Sequence, residues 1–331
     1  MRKFLQMFIL VLIFFVSACS DDSSKDDEDV KEEIDYREEM RNFVISISQY
    51  SKELSPGFAV IPQNGIELVT VDGESDGPLS NGYLDAIDAH GQEDLFYGYD
   101  EDDVKSPDED VEFISSFLDR SKDAGNTILV TDYCSTQSKV DDSYSLNSSS
   151  GYISFAAHER DLNAIPSYPD PVNNENSNDI SKMSDVQNFL YIINGEEYTS
   201  KEDFITDVSS TNYDLVIMDL FDNNQDPYTS SQIDELNTKA NGAKRMVVCY
   251  MSIGEAEDYR YYWKDEWSKN SPDWMDEENP DWEGNFKVKY WNKEWQKIIY
   301  GNDDSYLKMI IDAGFDGVYL DIIDAFEFFE N

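Results

Sequence analysis

YDLVIMDLF (213–221), RMVVCYMSIGEAEDYRYYW (245–263) and GFDGVYLDIIDA (314–325) decide how this chain is read. Each holds a short, nearly unbroken apolar run, at 215–218, 246–250 and 318–320, and each run leads into an acid: Asp219, Glu255 and Asp321. A strand buried on both faces reads this way, whereas a half-exposed strand alternates. Carboxylates at the C-terminal ends of parallel strands stand where a barrel of such strands places its chemistry. One acid in that position is an ordinary strand cap, but three, beside glycines and aromatics, point to a site.

Outward from these runs, strand and helix alternate. Apolar spacing predicts helices over 36–54, 111–123, 200–208, 231–240, 293–299 and 305–312, and strands over 58–62, 95–98, 127–133, 152–157, 189–193, 214–219, 246–252 and 317–322. Residues 83–90 fit either element. Four strands precede a Pro- and Asn-rich segment, 166–184, and four follow it. Alternation of this kind implies parallel βαβ units, and eight strands in about 300 residues suit an α/β fold of the (β/α)8 TIM-barrel type. Two doubly wound domains are the alternative, although no GxGxxG or P-loop supports them.

The chain has 331 residues, with Lys plus Arg 25 against Asp plus Glu 70 and a formal net charge of −45. Nucleic acid is excluded as a partner, since its binding requires clustered cations. Arg2 and Lys3 followed by the apolar stretch 4–16 read as a signal peptide over 1–19. Val16-Ser17-Ala18-Cys19 resembles a bacterial lipobox, which implies lipidation at Cys19, anchoring in the membrane, and a place on the outer membrane or cell surface. Residues 20–33 are polar and acidic and read as a tether. Cys134 and Cys249 lie on strand-like runs, as buried thiols or as a disulfide if their strands adjoin. No cysteine and histidine spacing suggests a metal, and nothing suggests a cofactor.

Ser252 to Trp263, residues 279–291 (NPDWEGNFKVKYW) and 314–325 resemble, in order, motifs of the glycoside-hydrolase family 114 barrels, the endo-α-1,4-polygalactosaminidase type. FAVIPQNGIEL (58–68), EDLFYGY (93–99), ILVTDYC (128–134) and GYISFAAHERDLNAIP (151–166) resemble the same family. The order differs: motifs at 189–325 here come first in the family, and those at 36–166 follow. The chain therefore resembles a circularly permuted member, with 34–165 the usual second half, 166–184 the join and 185–331 the usual first half. A closed cylinder tolerates such a change, because its first and last strands are already neighbours.

The resemblance implies glycoside hydrolysis of an amino-sugar polysaccharide, cationic when partly deacetylated, by two carboxyl groups. It implies Asp321 as nucleophile or base and Glu67 as general acid, with the roles open to exchange. Asp219, Glu255 and Asp132 are expected to hold sugar hydroxyls or an amine. Asp324 is divided between hydroxyl binding and a helix cap. Gln63 and Asn64 either bind hydroxyls or form a turn, and Arg260 is expected to pair with one of the acids. All six tryptophans fall between 263 and 295, and Trp263 is expected at a saccharide groove. A non-catalytic saccharide-binding lipoprotein is the second reading.

Overall fold

Strand and helix do alternate along the chain. A computed structural model describes residues 34–330; the signal peptide, Cys19 and the tether lie outside them. The first half contains α1 (Tyr36–Leu54), β1 (Ala59–Pro62), α2 (Asn81–Leu84), β2 (Ala89–Glu93), α3 (Asp108–Asp123), β3 (Thr127–Tyr133), α4 (Gln137–Ser150) and β4 (Ile153–Ala157). The second half begins with β5 (Phe189–Tyr191), α5 (Lys201–Ser209), β6 (Leu215–Met218), α6 (Ser230–Leu236) and β7 (Met246–Ser252). After three short strands, β8 (Glu255–Glu257), β9 (Met275–Glu278) and β10 (Asn285–Val288), come α7 (Lys293–Ile299), α8 (Tyr306–Ala313), β11 (Gly317–Asp321) and α9 (Phe326–Glu330).

Local chemistry explains the elements. Asp35 caps α1 by accepting the Glu38 amide at 2.9 Å. Met40, Phe43, Val44 and Ile47 form the buried stripe of α1. Every residue of β1 and β6 is buried, as strands covered on both faces require.

The result is an α/β fold on parallel strands. One sheet runs β1-β11-β7-β6-β5 and a second runs β2-β3-β4, all ladders parallel. A single parallel bridge, Gln63 to Gly91, joins β1 to β2. Between β4 and β5 the contact is by packing, with the Phe155 and Phe189 rings 5.7 Å apart. The earliest strand thus pairs with the last, Ala59 opposite Gly317 and Pro62 opposite Leu320. Helices α1 and α9 meet outside this seam, with Arg37 Nη2 3.0 Å from Glu330 Oε2 and the Tyr36 and Phe329 rings 5.7 Å apart.

One expectation changes, and two features go beyond the sequence reading. Residues 95–98 are not a strand; the second strand is β2, AHGQE, whose His90 and Gln92 are buried despite their polarity. The chain leaves the ladder at Asp94, which takes a left-handed φ of 60°. Helix α4 is too polar and too weakly amphipathic to announce itself: Val140, Ser143 and Asn147 are its buried residues. The insertion after β7 contains an antiparallel sheet, β8-β10-β9, between acidic and aromatic loops. Both cysteines of the described part are free and buried. No helix of the described residues is long and apolar enough to cross a membrane.

Segment 166–184 forms no regular helix, yet it is fastened along its length. Tyr168 Oη donates to Asp141 at 2.6 Å, near the C-terminal ends of β3 and β4. Asn176 Nδ2 donates to Asp214 Oδ2 at 2.9 Å just before β6, and the Ile180 amide donates to the Lys244 carbonyl just before β7. It therefore passes from the C-terminal to the N-terminal ends of the strands. Its anchor is the Asp214–Lys239 ion pair, 2.8 Å long and fully buried. Replacing Lys239 with Met should remove about 3–5 kcal/mol of stability, because a buried carboxylate loses its counter-charge. Urea unfolding measures this, and a loss below about 1 kcal/mol would mean the pair is dispensable.

Candidate functional site

Three side chains at strand C-termini converge on one nitrogen. Gln63 follows β1, Glu93 ends β2 and Asp321 ends β11. Gln63 Nε2 donates to Glu93 Oε2 at 2.6 Å and to Asp321 Oδ1 at 3.0 Å. Two hydrogen bonds of ordinary length from one atom hold their acceptors no more than about 6 Å apart. Each carboxyl has a second donor: Tyr250 Oη donates to Asp321 Oδ2 at 2.6 Å, and Tyr133 Oη donates to Glu93 Oε1. The Ile322 amide also donates to Asp321 Oδ1, at 2.8 Å.

These contacts divide the two acids electrically. Burial, then the nearby Asp321 charge, pushes Glu93 up to about 8, and the Tyr133 hydrogen bond only partly opposes this. Asp321 is also raised by burial, but its bonds from Tyr250 and Ile322 favour the ionised form. Glu93 is therefore the carboxyl of the pair that holds a proton more readily. Two carboxyls with different protonation are the arrangement acid–base chemistry needs.

The surrounding chain fixes this geometry. Asn64 takes a left-handed φ of 60°. Its Oδ1 accepts the Glu93 amide at 3.1 Å and Gln92 Nε2 at 3.2 Å, and its carbonyl lies 3.0 Å from His90 Nε2. Asn64 thus holds the end of β2 in place. Gly91 is required because a Cβ there would lie 2.3 Å from the Tyr319 hydroxyl. Gly254 has the same function after β7, where a Cβ would lie 2.2 Å from the Ile322 carbonyl.

The other residues singled out in the sequence fall into two groups. Glu255 and Asp324 border the pair. Glu255 is buried, accepts from Asn279 at 2.8 Å, and is raised by burial with the Asp321 charge among the lesser causes. Asp324 is pushed up to about 7 by burial and then by Asp321. Asp219 and Arg260 form a buried clamp: Arg260 Nη1 lies 2.7 Å from Asp219 Oδ2, and Arg260 Nε lies 2.6 Å from Glu257 Oε2. Arg260 therefore pairs with acids, as its sequence context suggested. Trp263 stacks on Phe286 with centroids 5.1 Å apart and meets the edge of Trp267.

Asp132 and Glu67 stand apart from the pair. Asp132 is fully buried, and its oxygens accept from the Phe96 and Tyr97 amides, Ser143 Oγ and Asn147 Nδ2. It ties the loop after β2 and helix α4 to β3, and it has no oxygen left for a ligand. Glu67 lies on the 3-10 turn Ile66–Val69, beyond two left-handed residues, Asn64 and Gly65. Among the described residues its carboxyl makes no hydrogen bond or ion pair. Its charge is felt at Glu327, which burial and then Glu67 raise. The carboxyl that meets Asp321 is that of Glu93. Glu93 was missed because the second strand was placed at 95–98; with β2 ending at Glu93, it and Asp321 occupy the same position on their strands. Tyr133, Tyr191 and Tyr250 were missed because they read as core aromatics. Among the described residues, no three of His, Cys, Asp or Glu gather where they could hold a metal ion.

Comparison with known proteins bears on the second half. Residues 170–331 match the model of glycoside-hydrolase family GH114. That span includes Asp219, Glu255, Arg260, Trp263, Asp321 and Asp324, while Gln63 and Glu93 precede it. The chain is also similar to an uncharacterized protein of Methanocaldococcus jannaschii, 42% identical over 158 residues, or 47% of this chain and 42% of the relative. An uncharacterized protein of Thermotoga maritima is 54% identical over 81 residues, 24% of each chain. One from Deinococcus radiodurans is 38% identical over 124 residues, 38% of this chain and 37% of the relative. The chain thus spans less than half the length of these relatives. The GH114 match supports glycoside-hydrolase chemistry for this chain.

The raised carboxyl of Glu93 has a consequence for stability. Its folded value, about 8, lies above its ordinary 4.5. Its contribution to stability is then full below about 4.5 and is lost as pH rises to about 8. Wild-type urea midpoints should fall across that window, and Glu93→Gln should flatten the part of the fall that Glu93 causes. Parallel curves for the two proteins would mean Glu93 is not buried as described.

Proposed function

We propose that this protein is a glycoside hydrolase in which Asp321 is the nucleophile and Glu93, rather than Glu67, is the general acid and then base. The observation that carries this reading is the Gln63 amide donating to both carboxyls. It keeps their nearest oxygens within about 6 Å, close to the separation of about 5–5.5 Å found in retaining enzymes and short of the wider inverting pair. Retention of anomeric configuration is the outcome that follows. Glu93 would protonate the leaving oxygen while Asp321 attacks the anomeric carbon, forming a covalent glycosyl ester. Glu93 would then take a proton from water as that water cleaves the ester. Asp324 and Glu255 border the pair and would meet hydroxyls or an ammonium group of the sugar.

The substrate we favour is an amino-sugar polymer, because a chain of net charge −45 with several acids beside the pair suits a cationic saccharide. The eight parallel strands would form one (β/α)8 barrel. The Gln63–Gly91 bridge and the Phe155–Phe189 packing would be its two joints between sheets. The order would be permuted: a family match starting at 170, with the partner acid at 93, supports that reading. Lipidation at Cys19 would hold the domain at the cell surface.

Purified protein incubated with partly de-N-acetylated galactosaminogalactan should release oligosaccharides with retained configuration, read by NMR of the first products. Asp321→Asn should abolish release. Glu93→Gln should lower kcat by about 10²–10⁴-fold on the polymer and much less on an aryl glycoside whose leaving group needs no proton. Tight binding of the polymer by wild type without any cleavage would replace this reading with that of a saccharide-binding protein.

A further inference from the structure

Gln63 has one side-chain carbonyl and two side-chain N–H groups, and the reading above uses only the N–H groups. The carbonyl oxygen, Oε1, accepts from Tyr191 Oη at 3.1 Å. We infer that Tyr191, on β5, is a positioning residue: its hydroxyl fixes which end of the Gln63 amide faces Glu93 and Asp321, and so sets how strongly the two carboxyls are favoured as anions.

A primary amide is nearly symmetrical in shape but opposite in polarity at its two ends. With the NH2 end toward the pair, one N–H serves each carboxyl and both acids are favoured as anions. Reversed, the amide oxygen would face two carboxyl groups. That is tolerable only if a carboxyl is protonated and turns its hydrogen onto the amide, away from any substrate. Shape does not choose between these states, but Tyr191 does: its hydroxyl could accept from a reversed amide, yet its own buried hydrogen would then lose Gln63 Oε1, the acceptor it has among the described residues. It is 2% exposed, its ring packs against Tyr319 at 5.2 Å, and its backbone pairs with Ile217. It cannot swing away, and among the described residues it is the side chain that bonds Gln63 Oε1.

The other titratable or charged groups facing the pair act on the carboxyls themselves. Around Glu93 these are Tyr133, Asp94 and Arg160. Around Asp321 they are Tyr250, Glu257, Glu255 and Asp324, with the Tyr319 hydroxyl below. None of them hydrogen-bonds the amide carbonyl. The chain Tyr191–Gln63–Glu93/Asp321 therefore links four strands, β5, β1, β2 and β11, with one donor at its head. The catalytic consequence rests on the reading above, whereas the effect on the carboxyls does not.

The test is carbon NMR of protein labelled at glutamate carboxyls, with Glu93 assigned by its loss in Glu93→Gln. In Tyr191→Phe the amide is free to reverse, and the Glu93 midpoint should rise by about one pH unit, the worth of one hydrogen bond to a charged group. On the polymer, kcat should fall roughly tenfold with KM within about twofold, and the basic limb of the pH profile should move with the NMR midpoint. Gln63→Met removes both N–H donors and should raise the midpoint at least as far. In that background Tyr191→Phe should add nothing. If Tyr191→Phe does not fold, Gln63→Met alone decides. An unmoved midpoint in either folded variant, or an equal added effect of Tyr191→Phe on the Gln63→Met protein, overturns the inference. Absence of cleavage by wild type would remove the hydrolase reading, yet the titration would still decide the role of Tyr191.

Discussion

The rest of the site depends on one nitrogen atom. Gln63 Nε2 donates to Glu93 and to Asp321, residues that lie far apart in sequence. The contact exists only because β1 lies between β2 and β11 in a fixed register. Pro62 opposite Leu320 sets Gln63 level with Asp321, and the bridge to Gly91 sets it within reach of Glu93. Side chains alternate along a strand, so a slip of one residue in either pairing would turn a carboxyl out of the site. Packing below the rim guards the register: Tyr319 fills the space that Gly91 leaves open, and the Asn64 side chain holds the backbone of Glu93.

Much of this was legible in the sequence. The buried strands at 127–133, 214–219, 246–252 and 317–322 announced themselves by continuous apolar runs, and helix 36–54 by its stripe. Asp321 and Gln63 were picked out because both follow such runs. Strand β2 was not legible, since its sequence, AHGQE, is polar. Its His90 and Gln92 are buried because Asn64 meets both, a fact about the tertiary structure. Shifting that strand by a few residues hides Glu93, while Glu67 is the acid that the family resemblance implies. Helix α4 was hidden for a related reason: Ser143 and Asn147 face inward to satisfy Asp132, so the helix buries polar atoms where a pattern reader looks for apolar ones.

The acids of this protein sort by what occupies their oxygens. Asp132 accepts four donors, Asp214 is locked to Lys239, and Asp316 accepts the Val247 amide. These carboxylates replace missing backbone or side-chain partners and hold elements together. Glu93 and Asp321 instead share one donor, Gln63 Nε2, beside a tyrosine hydroxyl on each and the Ile322 amide on Asp321. That shared donor separates the pair from the framework acids better than burial does, because all five are substantially removed from water.

The insertion after β7 has a property that the strands lack. Trp263, Trp267, Trp274 and Trp295 stand in file, each within 5.0–5.4 Å of the next, and the last donates its indole N–H to the Ile253 carbonyl. Trp291 joins Tyr36 and Phe329 at the seam between the first and last helices of the described part. The parallel strands themselves carry no indole. Emission excited at the red edge of protein absorption therefore comes from residues 263–295 alone. It reports the loosening of that segment and of the α1–α9 seam, while the strands that hold Glu93 and Asp321 stay optically silent except through tyrosine.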